Sequence, residues 1–171
     1  MTAKSAALSQ FELVWALAEL HFDALDEDDF LWAPAELTWT VHRDEDGAWR
    51  PDWADTEPVP IPVPTVGWLT WQVLWWWATA LDDLTRVPHR RREDVTWPGT
   101  GADAIAAIRA LAVDWRDGLT DLADSDWERP SAFPWPADAG RTIADSALWV
   151  NVELTKNVAE IGQLRLLRAA R

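Results

Sequence analysis

Between Val66 and Leu84 the chain reads VGWLTWQVLWWWATALDDL, and apolar side chains come round nearly the whole circumference of a helix. This predicts a helix over Thr65–Arg86 that is the most buried element of the protein. Thr65 is placed to cap its start, and Pro88 ends it. Trp75, Trp76 and Trp77 are consecutive, each turned by about 100° from the last. They cannot all point into one bundle centre, so at least one needs a second covering layer, from a hairpin or another subunit. One uncharged polar residue, Gln72, interrupts the apolar surface.

Three further segments carry the helical period. Over Ser5–Leu25, the residues Leu8, Phe11, Trp15, Ala18, Phe22 and Leu25 recur on one face. Leu13, Leu17 and Leu20 mark another face, which predicts a helix covered on two sides. Over Thr100–Leu122 the buried stripe is Ile105, Ile108, Leu111, Ala112, Trp115 and Leu119, with Thr100 and Asp103 spaced as a capping box. Over Thr142–Ala170, Thr142 and Asp145 repeat that spacing, and Arg165, Arg168 and Arg171 complement the negative end of the helix dipole. There Val150, Leu154, Ile161 and Leu164 share the inner face. Asn157 lies within that arc and Glu153 at its edge, one turn earlier. Leu148, Val152 and Leu166 lie opposite and indicate a second interface. Four long helices predict an all-α protein, a four-helix bundle forming one domain over 1–171.

The links break the period. Asp26–Ala33 is acidic and then apolar, as in a short helical turn. In Glu36–Trp53, Leu37, Trp39 and Val41 alternate with polar residues, and Asp44-Glu45-Asp46-Gly47 signals a turn. This predicts a small β-hairpin between the first two helices, with Trp39, Trp49 and Trp53 packed on them. The acidic turn lacks the spacing and distal Glu of a calcium loop. Glu57–Pro64, EPVPIPVP, has proline at every second position and reads as an extended strap. Asp124–Asp138 reads as a proline-containing loop.

Composition adds limits more than functions. The chain has 15 Trp, no Tyr and no Cys, and a net charge of −14. The acidity argues against nucleic-acid or anionic-membrane binding. Without Cys there is no thiolate nucleophile, disulfide or Cys metal site, which fits a cytoplasmic protein. The longest apolar stretch, Trp68–Leu81, is shorter than the ~20 residues of a membrane-spanning helix. No targeting segment is expected at the N-terminus. The only basic run, His89–Arg92, is followed by Glu93 and Asp94 and reads as a solvated loop. No glycine-rich phosphate loop, Ser-His-Asp set, HExxH or HxxxH is evident.

The segments VGWLTWQVLWWW (66–77), AWRPDWADTEPVPIP before it, and NVELTKNVAEIGQLRLL (151–167) resemble the DinB-like family. That helical superfamily includes bacterial metal-dependent thiol S-transferases. The resemblance covers most of the chain and implies an up-down-down-up bundle. It also implies a divalent metal held by three histidines, one in a setting like WLxWHxxWWW and two as HxxxH before a segment like AEIGQLR. The matching positions here are Gln72, Glu153 and Asn157, and none is histidine. Three expectations follow. The three side chains form a buried hydrogen-bonded plug with no cofactor; or their oxygens weakly hold a divalent cation such as magnesium or calcium; or the pocket at Trp68, Trp71, Trp75, Trp76 and Val150 takes a small-molecule ligand. As an enzyme, the chain would conjugate a low-molecular-weight thiol, of the mycothiol type, to an electrophile. Glu153 would then be the metal ligand or base. A homodimer through outer helix faces, those of the second and fourth long helices, is a further expectation.

Overall fold

The computed structural model describes residues 2–171. Its elements in chain order are α1 (Ala3–Phe22), α2 (Glu27–Phe30), β1 (Thr38–Trp39), β2 (Val41–Arg43), β3 (Trp49–Pro51), β4 (Val63–Pro64), α3 (Val66–Thr85), α4 (Gly101–Asp121) and α5 (Ile143–Ala169). Each of α1, α3, α4 and α5 begins with a threonine hydroxyl, from Thr2, Thr65, Thr100 and Thr142, that accepts a free backbone N–H of its first turn. At Thr142 the capping box is complete, with the Asp145 carboxylate accepting the Thr142 N–H.

The four long helices form a ring in the order α1–α5–α3–α4. Cross-links fix their directions. The Lys4 ammonium donates to the carbonyls of Thr120 and Leu122, and Arg116 pairs with Glu12, so α1 and α4 are antiparallel. The Asn151 amide donates to the Ala7 carbonyl (3.0 Å) and Gly162 lies against the His21 ring, so α1 and α5 are parallel. Asn157 meets Gln72 and Trp76 midway along α3, while the earlier Ser146 reaches Asp83, near the C-terminal end of α3, through Ser131, making α3 and α5 antiparallel. Gly67 and Gly101 both abut Phe30, and Gly118 abuts Leu84, so α3 and α4 are parallel. The topology is therefore up-down-down-up, and residues 86–100 run back along the bundle to join the parallel pair. In that crossover Asp82, buried on α3, is held by Arg90 through two side-chain hydrogen bonds of 2.7 and 2.8 Å. Burial raises the Asp82 pKa, but the Arg90 side-chain and backbone donors outweigh it and hold it below its ordinary value. A lowered carboxylate stabilises the fold above its ordinary pKa and loses that contribution as pH falls through the folded value. Asp82→Asn should therefore cost ~1–2 kcal/mol at pH 7 and less in acid, compared by urea midpoints at pH 7 and pH 3.

The hydrophobic core lies along the ring axis, where Trp77 of α3 meets Phe11 and Trp15 of α1 at 6.0 Å between ring centroids. Outside α3 sits a second layer of aromatic rings. Trp39 stacks on Trp68 at 5.3 Å, and Trp53 meets Trp75 edge-on at 5.6 Å. The indole N–H groups tie this layer down: Trp68 to the Asp52 carbonyl, Trp71 to the Val95 carbonyl, and Trp97 to the Thr70 hydroxyl. This answers the tryptophan run. Trp75 faces the hairpin, Trp76 faces α5 and Trp77 faces the core.

The structure departs from the expectations in three places. The alternating segment 37–41 is split between two two-stranded sheets: β2 pairs antiparallel with β3, and β1 pairs in parallel with β4 of the proline strap. Alternating prolines leave only the intervening residues with N–H groups, and those of Val63 and Thr65 donate to the Leu37 and Trp39 carbonyls. The strap is thus an edge strand. Secondly, the outer side of α3 is covered from within the chain, by rings and loops of residues 39–53 and 86–100. Thirdly, the stripe Leu13, Leu17 and Leu20, expected to be covered, is exposed.

Candidate functional site

The three positions singled out by resemblance lie where α3 and α5 meet, and two of them touch. Asn157 is fully buried at the middle of α5, opposite Gln72, which is half-buried on α3. The Trp76 indole N–H donates to Asn157 Oδ1 at 3.1 Å. An indole can only donate, so this contact fixes which way the Asn157 amide is turned. Its Nδ2 then donates to Gln72 Oε1 at 3.2 Å and to Glu160 Oε2 at 3.1 Å. Both amide hydrogens and the amide oxygen are used, so the buried amide is satisfied.

Glu153 stands apart from this network. Its carboxylate pairs with Lys156 at 2.9 Å, and among the described residues no hydrogen bond joins it to Gln72 or Asn157. Glu160 is the carboxylate that reaches Asn157. Sequence reasoning missed it, although the signal was present: position 160 is three residues beyond 157, on the same side of the helix as 153 four residues before it.

The residues expected to line a pocket are mostly core. Trp68, Trp71, Trp76 and Val150 are buried, and Trp75 is half-buried beneath Trp53. Of these, Trp71 borders an open cleft of about 380 Å³ that is also bounded by Arg50, Trp53 and Arg92. Arg50 is engaged with Asp44, while the Arg92 guanidinium lies 4.2 Å above the Trp53 ring and pairs with Glu93. Both cations are thus spoken for. A second cleft of about 430 Å³ runs between β4 and α5, lined by Val63, Pro64, Ala159, Glu160, Gln163, Leu164 and Leu167. Glu160 is its one charged wall residue, and the same side chain accepts from Asn157. The polar network therefore ends on the wall of an apolar cleft.

The donor set does not fit the metal that the resemblance implies. Asn157 has no free lone-pair direction toward Gln72, because its Nδ2 points there, and Glu153 is turned to Lys156. Among the described residues no group of three or more His, Cys, Asp or Glu side chains is arranged to hold an ion. The chemistry within reach is hydrogen bonding and one exposed carboxylate. No described helix is long and apolar enough to cross a membrane.

Comparison with known proteins gives a family and nothing finer. No curated protein and no solved structure matches the chain. Residues 10–161 match the DinB superfamily, a span that runs from α1 into the last turns of α5 and includes Gln72, Glu153, Asn157 and Glu160. By that match, and with the up-down-down-up bundle already described, the chain belongs to the DinB superfamily.

Proposed function

We propose that this member of the superfamily is a binding protein, without resident metal, for a small apolar molecule that carries a hydrogen-bond donor or positive charge. The observation that carries this reading is the course of one hydrogen-bond network. It starts at the buried Trp76 indole, passes through Asn157, and ends at Glu160 on the wall of the β4–α5 cleft. The apolar lining from Val63, Pro64, Leu164 and Leu167 favours desolvated hydrocarbon, and the single carboxylate selects the polar end. Glu160 is braced by Asn157, so less rotamer freedom is lost when a ligand engages it.

The transferase reading of the superfamily competes with this one and makes different predictions. It needs a divalent ion, and Glu153 is the carboxylate it would recruit. The full-length chain is therefore titrated calorimetrically with octylammonium, octanoate and zinc. Octylammonium should bind and octanoate should not, and Glu160→Gln should weaken octylammonium at least ~10-fold, equivalent to ~1.4 kcal/mol. Glu153→Gln should leave that affinity unchanged. Zinc retained stoichiometrically through dialysis, or metal-dependent conjugation of a low-molecular-weight thiol to an electrophile, would overturn the proposal in favour of the transferase.

A further inference from the structure

The proline strap gives the β4–α5 cleft a one-sided hydrogen-bonding character. Successive residues of a strand turn their backbone groups to opposite edges. On the strap the N–H groups of Val63 and Thr65 point to β1, where they donate to the Leu37 and Trp39 carbonyls. The backbone groups of Pro62 and Pro64 therefore point to the free edge. Proline has no N–H, so that edge carries carbonyl oxygens and no donor. Among the described residues no hydrogen bond ends on the Pro62 or Pro64 carbonyl. Pro64 also lines the cleft, beside Val63.

The facing wall, on α5, is of the same kind. Glu160 is exposed, and of its carboxylate only Oε2 is engaged, as the acceptor from Asn157 Nδ2. An ionised carboxylate offers about four lone-pair positions, so most of its accepting capacity is open. Gln163, one turn on and also exposed, can turn either its oxygen or its amide nitrogen to a ligand, so it adapts and does not select. Ala159, Leu164 and Leu167 are apolar, and the backbone N–H groups at these positions of α5 are spent within the helix. Among the described residues the lining holds no Lys, Arg or His. The fixed polar groups of the cleft are thus acceptors on both walls, in a chain of charge −14 that favours cations at longer range.

Building on the ligand reading above, we infer that the cleft is specific for a free aliphatic primary amine, bound as its ammonium ion. An ammonium group has three N–H donors and no acceptor. It can donate to Glu160 on one wall and to the Pro64 carbonyl on the other, while its chain lies along Leu164 and Leu167. Charge alone does not separate one amine from another, but acceptors divided between two walls do. Each N-methyl group replaces an N–H with carbon, and a trimethylammonium keeps the charge with no donor left. Its binding strips water from the carboxylate and the carbonyl and returns no hydrogen bond to either. A carboxylate or phosphate ligand meets acceptors with acceptors and is rejected by charge as well. Proline at position 64 is then a specificity residue, because any other residue there would place an N–H on the free edge.

Calorimetric titration of the full chain at pH 7 compares octylammonium, N-methyloctylammonium and octyltrimethylammonium, all of them charged at that pH. Octylammonium should bind at least ~10-fold tighter than octyltrimethylammonium, with the monomethyl compound between them. Pro64→Ala restores an N–H to the free edge. It should weaken octylammonium and let octanoate bind measurably, with an unchanged helical circular-dichroism spectrum. Octyltrimethylammonium binding as tightly as octylammonium would overturn the inference and leave the cation-binding cleft standing. Absence of binding by all three amines would overturn both. Affinities for octylammonium and octanoate that are unchanged in a folded Pro64→Ala variant would remove the strap from the recognition. Should that variant lose helical signal, the methylation series on the natural chain decides alone.

Discussion

Trp71→Ala should lower the free energy of unfolding by about 3–5 kcal/mol, the range for truncating a large aromatic in a packed core. Trp71 is fully enclosed. Its ring stacks on Trp75 at 5.9 Å and meets Trp68 and Trp53 at 5.9 and 6.0 Å. Its N–H donates to the Val95 carbonyl at 2.9 Å, pinning the crossover that follows α3. Truncation removes the filling between three elements: α3, the hairpin and residues 86–100. A cavity forms beneath Trp53, and the Val95 carbonyl loses its partner. Urea denaturation followed by circular dichroism measures the effect. Trp53→Ala is the internal comparison, because the Trp53 ring covers the layer from outside and is partly exposed. The Trp53 variant should lose clearly less. Equal losses would mean that the aromatic layer contributes as a surface sheath and not as a second core.

The other large effect is expected at the α3–α5 junction. Asn157→Leu keeps the approximate volume and removes all three hydrogen bonds of the amide. The buried Trp76 N–H is then left without an acceptor, a loss of ~1–3 kcal/mol. Gln72 and Glu160 reach solvent and lose less. The apolar gain of leucine offsets part of this, so the sign of the net change tests whether the network or simple packing dominates. A stability loss above ~1 kcal/mol supports the network. A coupling experiment sharpens the reading. If Asn157 and Gln72 act as a pair, the double variant with Gln72→Leu should lose less than the sum of the singles, with a coupling energy of at least ~0.5 kcal/mol. An unchanged or raised urea midpoint in Asn157→Leu would show that the site is held by shape alone.

These two sites also show where sequence reasoning worked and where it stopped. The buried nature of α3 was readable because its apolar residues surround the helix, and no tertiary knowledge is needed to see that such a segment cannot face water. That Gln72 and Asn157 would meet was readable only through the resemblance, since 85 residues separate them. The carboxylate that accepts from Asn157 is Glu160, while Glu153, the position matched by resemblance, pairs with Lys156. Residues 153 and 160 lie one turn before and one turn after 157, and both point toward the same edge of α5. Lys156 draws Glu153 away, and the Asn157 amide, oriented by the Trp76 indole, presents its donor toward Glu160. Such choices between near-equivalent partners depend on ångström-scale rotamers that no spacing rule resolves.

A similar division holds at the surface. The stripe Leu13, Leu17, Leu20 was recognised as apolar and expected to be covered. Periodicity reports that a face is apolar, not which neighbour, if any, lies over it. The ring order α1–α5–α3–α4 turns this stripe and that of Leu148, Val152 and Leu166 outward together. The proline strap shows the reverse case. Proline at every second position excludes helix and central strand, as expected, yet the N–H groups it spares are all that an edge strand requires. The sequence contained the donors at Val63 and Thr65, and only the fold brought the Leu37 and Trp39 carbonyls to them.

By itself, then, the sequence determined the four long helices, their threonine caps, the enclosed character of α3 and the family. Each of these depends on contacts within a few residues or on a local motif. Tertiary structure alone decided the order of the helices, the pairing of the strap, the carboxylate that reaches Asn157 and the exposure of the α1–α5 flank. Those outcomes arise from packing between distant segments, where a small rotation of a helix exchanges one partner for another.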